Sequence, residues 1–106
     1  MAKLRVSGKS LQKAVIDYAR SRGWHCAHFP SVETKQGWRT AVAADAKGWP
    51  DAFMLRERPV VIEFKGDGDT IRPEQQQWRE WFERAGVEHY FITPKDWPDR
   101  VVEILA

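Results

Sequence analysis

A single cysteine, Cys26, occurs in the chain, so no internal disulfide can form. No charged leader precedes an apolar stretch and no apolar run reaches 18 residues; neither a signal peptide nor a membrane span is expected, and the natural compartment is the reducing cytoplasm. Repeats, low-complexity tracts and linkers are missing as well. The 106 residues are therefore expected to form one domain, 1–106, large enough to bury roughly 65% of its unfolded surface. Acid is scarce in the first half. Residues 1–50 carry three Asp or Glu against nine Lys or Arg, whereas residues 51–106 carry twelve against eight. Either this is ordinary surface variation, or a basic face that attracts a polyanion lies beside an acidic site that attracts a cation.

What is present divides into clear elements. Leu11, Ala14, Val15, Tyr18 and Ala19 recur at helical spacing, Ser7 or Ser10 can cap and Gly23 can stop, which predicts a helix over about 9–22. Residues 24–29, Trp-His-Cys-Ala-His-Phe, read as a strand. From Pro30 to Lys47 no period emerges, and so long an unstructured connection is more often functional or mobile than structural; it holds Lys35, Trp38, Arg39 and Lys47. The runs 51–55 and 60–65 read as a hairpin joined at Arg56-Glu57-Arg58-Pro59. Pro73 suits the first turn of a helix in which Trp78, Trp81, Phe82 and Ala85 share a stripe ending at Gly86. A strand over 89–92 follows, then a short helix capped by Asp96 with Trp97, Val101 and Leu105 on one face. The order αβββαβα predicts an α/β fold with helices covering a mixed sheet.

The strand Val-Val-Ile-Glu-Phe-Lys carries two charges that would cost several kcal/mol each to bury unpaired. Glu63 and Lys65 are two apart, so they leave one face while Ile62 and Phe64 leave the other. Asp51 begins the partner strand. If opposed residues of the hairpin sum to 114, Asp51 lies across from Glu63 and Arg56, Glu57 and Arg58 form a three-residue loop. Two carboxylates then converge beside an ammonium. That is a site for a hard cation: Mg²⁺ (or Mn²⁺) keeps several waters and accepts two carboxylates, a backbone carbonyl and phosphate oxygens. On the other hand, Glu63 and Lys65 alone could be the wet side of an edge strand.

Pro50-Asp51 followed after twelve residues by Glu63-Phe64-Lys65 resembles the PD-(D/E)xK nuclease signature. Gly48, the Arg72-Pro73-Glu74-Gln75 helix start and Ala85-Gly86-Val87 resemble the VRR-NUC branch of that superfamily, in its stand-alone bacterial and phage form. The resemblance implies a restriction-endonuclease-like αβββαβ core with a short C-terminal helix. It also implies a metal-dependent deoxyribonuclease acting on branched DNA such as a Holliday junction or flap. Asp51 and Glu63 would be metal ligands, the Phe64 backbone carbonyl a further ligand, Lys65 the group that orients or activates water, and Gln75 an assisting residue. The first helix departs from the pattern: relatives carry a glutamate near its start, and here Gln12 follows a run with no acid before Asp17. A non-catalytic nucleic-acid-binding or assembly module is the competing reading.

The remaining candidates are weaker carriers of chemistry. His25 and His28 are three apart on a strand and point to opposite faces, which disfavours a zinc clip. Trp24, Trp78, Trp81 and Trp97 read as core or interface fillers. Trp38, beside Arg39, either stacks on an unpaired base or anchors its loop, and Lys35, Arg39 and Lys47 are expected on DNA phosphates. Two cuts across a junction suit a homodimer with two sites; a monomer that nicks flaps or single strands is the alternative.

Overall fold

The computed structural model describes residues 5–29, 32–34, 37–39 and 44–106, the two short segments by their backbone alone. The elements run α1 (Gly8–Ser21), β1 (His25–His28), β2 (Val32–Thr34), β3 (Gly37–Arg39), β4 (Ala52–Leu55), β5 (Pro59–Phe64), α2 (Pro73–Arg84), β6 (Glu88–Ile92), a 3-10 turn (Pro94–Asp96) and α3 (Asp99–Ile104). Four strands form one mixed sheet in the order β1-β4-β5-β6. The first two pairings are antiparallel and β5 pairs with β6 in parallel. A parallel neighbour needs a crossover, and α2 supplies it.

Capping and periodicity make α1. Ser7 Oγ accepts the Ser10 N–H at 3.0 Å, satisfying a free donor of the first turn, and Gly23 adopts φ +89° just beyond the helix. Leu11, Val15 and Ala19 are its buried face. They pack with Val101 and Leu105 against Ala52, Met54, Val60, Ile62, Phe64 and Ile92 on one side of the sheet, each large aliphatic contributing about 1.5–3 kcal/mol by leaving water. Trp24 closes this core, its Nε1–H donating to the Leu105 carbonyl at 3.1 Å.

The opposite face belongs to α2. His89 stacks on Phe82 with centroids 5.9 Å apart, and the Arg79 guanidinium lies over Phe91. Alternation therefore sends Val60, Ile62 and Phe64 to the α1 side and Val61, Glu63 and Lys65 to the α2 side.

Three expectations need correction. The connection 30–47, read as lacking a period, contains β2 and β3 paired antiparallel, with Glu33 opposite Trp38; strands of three residues are too short to display alternation. Asp96 caps the 3-10 turn, accepting the Thr93 N–H at 2.8 Å, and not α3, which begins after Pro98. The α2 stripe is only partly covered: none of its residues is fully buried, and Trp81 is exposed.

Candidate functional site

The β4–β5 hairpin sets the site. Its pairs run from Ala52↔Ile62 to Leu55↔Pro59, which leaves Arg56, Glu57 and Arg58 as the loop and, continued by one residue, brings Asp51 beside Glu63. A one-residue slip would have put the two on opposite faces. Glu63 and Lys65 are only 5% and 8% exposed, too buried for the wet side of an edge strand. β5 is in any case an inner strand, with β4 and β6 on either side.

Asp51 Oδ2 accepts the Phe64 N–H at 2.8 Å. In a strand the N–H and C=O of one residue leave the same edge, so the Phe64 carbonyl also faces β4. The register continued by two residues sets Pro50 opposite it, and proline has no N–H to give. The Pro-Asp pair thus leaves the carbonyl without its ladder donor and replaces the ladder acceptor by a carboxylate.

Gln75, in the first turn of α2, ties the site together. Its Oε1 accepts from Lys65 Nζ at 2.6 Å and from the Arg72 N–H at 2.9 Å. Its Nε2 donates to Glu63 Oε1 at 3.3 Å. One side chain therefore caps a helix and positions both strand charges. Burial, and then the Asp51 carboxyl against it, raise the Glu63 carboxyl to about 9, with Lys65 and Arg72 pulling the other way. At neutral pH Glu63 therefore holds its proton, because burial beside a second carboxyl disfavours its charge.

The site is bounded by glycines where chains approach closely. A Cβ on Gly66 would lie 2.4 Å from the Gly8 nitrogen, so only glycine lets the first turn of α1 meet the end of β5. Gly48, at φ +83°, would carry a Cβ 2.6 Å from the Glu74 carbonyl carbon. Its loop is fastened to α2 by Trp78 Nε1–H, which is shared between the Asp45 and Lys47 carbonyls at 3.1 and 3.0 Å.

The donor set suits a hard cation. Among the described residues no group of three or more His, Cys, Asp or Glu converges. Two carboxylates with a carbonyl that lacks its ladder donor match Mg²⁺ or Mn²⁺, ions that retain water. Asp51, Glu63, the Phe64 carbonyl, Lys65 and Gln75 are thus brought together. Gln12 lies apart: it contacts His28 Nδ1 at 3.4 Å, and His28 pairs with Ala52 on the α1 face of the sheet. Lys47 is exposed, 4.0 Å from Glu74. Lys35 lies outside the described residues, as do the side chains of Trp38 and Arg39.

Sequence reasoning passed over Phe29 and Trp49, which flank Asp51, and His89, whose Nδ1 is buried without a partner among the described residues. Phe29 was signalled only by its place next to β1, which needs the β1–β4 register to interpret. Family models, curated proteins and solved structures yield no match to the chain, so the chemistry of the site carries the functional reading.

Proposed function

We propose that the chain is a Mg²⁺- or Mn²⁺-dependent phosphodiesterase cutting DNA, selective for branched structures such as a junction or flap. The observation that supports it is the half-buried Asp51 beside the buried Glu63, with Lys65 on the same face and Gln75 bonded to both Glu63 and Lys65. Asp51, Glu63 and the Phe64 carbonyl would hold the cation. When bound, it would acidify a water and neutralise charge on the phosphate oxygens. Lys65, held by Gln75, places a positive charge where the attacking oxygen and the phosphate meet, and adds stabilisation as negative charge builds there. Gln75 fixes the Glu63 carboxyl and so limits the geometry the pair can adopt.

The resemblance of Pro50-Asp51 and Glu63-Phe64-Lys65 to the PD-(D/E)xK signature supports the same reading. The basic first half of the chain, with Lys35, Arg39 and Lys47, suits phosphate contact. A homodimer would give two symmetry-related sites for paired cuts. One observation favours the non-catalytic alternative: α1 contributes no acid, and Gln12 faces away from the carboxylates. No helix among the described residues is long and apolar enough to cross a membrane.

Incubating pure protein with junction, flap and single-stranded DNA in Mg²⁺, Mn²⁺ or EDTA decides between the two readings. Metal-dependent products, lost in Asp51→Asn, are expected. DNA binding without products in any metal would establish the non-catalytic module.

A further inference from the structure

Two exposed aromatic rings stand directly beside the carboxylate pair. Continuing the His28↔Ala52 pairing by one residue sets Phe29 opposite Asp51, and the Phe29 N–H donates to the Asp51 carbonyl at 3.0 Å. Cross-strand neighbours leave the same face with Cβ atoms about 5 Å apart. With Glu63 opposite Phe91, a row Phe29, Asp51, Glu63, Phe91 crosses the α2 side of the sheet. Trp49, two residues before Asp51, stands edge-on to Phe29 at 6.2 Å and to Trp78 at 5.0 Å. Trp78 is one helical turn beyond Gln75. The rings therefore adjoin the site from the β1 side and from α2 alike.

Packing on Trp78 and Phe82 covers Trp49 only in part. Phe29 is 43% exposed and Trp49 36%, whereas Trp24 in the core is 2% exposed. Lys47, two residues before Trp49, and Arg72, whose charge acts on Glu63, are exposed cations, suited to the phosphates on either side of a stacked base. We infer that Phe29 and Trp49 form a stacking platform for an unpaired nucleobase of the strand whose phosphate lies at Asp51 and Glu63. The inference rests on the phosphodiesterase reading and narrows its substrate class. Every base offers a π face to such rings only when unpaired, so the preferred substrate is a strand single-stranded beside the cut: a flap, a tail or an opened junction arm.

The test is equilibrium binding in EDTA, followed by anisotropy of a dye-labelled oligothymidine of about 12 nucleotides. Two comparison ligands are used: the same backbone with abasic sites at its centre, and a blunt duplex. The abasic strand is expected to bind wild-type protein about fivefold or more weakly than the intact one, in line with stacking on a single ring. Phe29→Ala and Trp49→Ala should lose a similar factor on oligothymidine and less than about twofold on duplex. Equal binding of intact and abasic strands overturns the platform, as does binding of none of them. If Trp49→Ala fails to fold, the abasic comparison on wild-type protein and Phe29→Ala, at a strand edge, still decide. A doubled mass in light scattering that Phe29→Ala abolishes would assign the rings to a second copy and overturn the platform too. Cleavage of the same oligomers in Mn²⁺ is scored separately. Cleavage without discrimination against abasic sites removes only the platform, and discrimination without cleavage of any DNA removes only the phosphodiesterase reading.

Discussion

Glu63 and His89 are both buried titratable groups on the α2 side of the sheet, and they predict different outcomes on replacement. Glu63→Gln keeps an amide oxygen in place of the carboxyl and cannot ionise, just as the raised Glu63 carboxyl does not ionise at neutral pH. The protein should keep its fold, and its thermal midpoint in EDTA at neutral pH should stay level or rise, by about 1 kcal/mol at most, while DNA cleavage is lost. A midpoint lowered by several degrees would show that Glu63 stabilises the fold. His89 is held well below its ordinary value, to about 4, chiefly by burial and then by the Arg79 charge, with Glu83 opposing. A depressed pKa costs nothing above about 6.5, where the ring is neutral folded or unfolded. As the pH falls from about 6.5 towards 4 the unfolded chain takes up a proton that the folded one refuses, and up to about 3 kcal/mol of stability is lost. His89→Phe, which keeps the stacking on Phe82, should flatten that loss. Urea unfolding at pH 7.5 and pH 5 checks it, and an equal pH dependence in both proteins would show that His89 is not the group responsible.

Two elements meet at the site through glycine. Gly66→Ala puts a methyl group within 2.4 Å of the Gly8 backbone, forcing the first turn of α1 away from the end of β5. A loss of about 1–3 kcal/mol is expected, read as a lower denaturant midpoint; an unchanged midpoint would mean that the contact yields freely. The hairpin was legible in the sequence for a physical reason. Arg56-Glu57-Arg58 is polar between two apolar runs, and Glu63 and Lys65 fall on one parity, so register and face follow together. The approach of Gln75 was not derivable from residues alone, because it depends on where the crossover lays α2; resemblance supplied it. The pair β2 and β3 escapes because three residues show no period, and a helical stripe alone does not say that Trp81 stays exposed on this chain. The place of Phe29 needed the β1–β4 register, which no tight turn fixes.

At the scale of the molecule, paired cuts across a junction call for two sites, and a two-fold dimer would supply them. Light scattering at micromolar protein should give about twice the 12.3 kDa chain mass with junction DNA present. A mass of one chain in every condition would leave a single-site nuclease acting on flaps or single strands. All of this depends on Asp51 and Glu63 holding a divalent cation, and calorimetric titration of Mn²⁺ into the wild-type and Glu63→Gln proteins at neutral pH tests that most directly. Saturable binding to the wild-type chain, weakened at least about tenfold by Glu63→Gln as expected when a carboxylate ligand is lost, is the predicted result. Superimposable isotherms for the two proteins would contradict it.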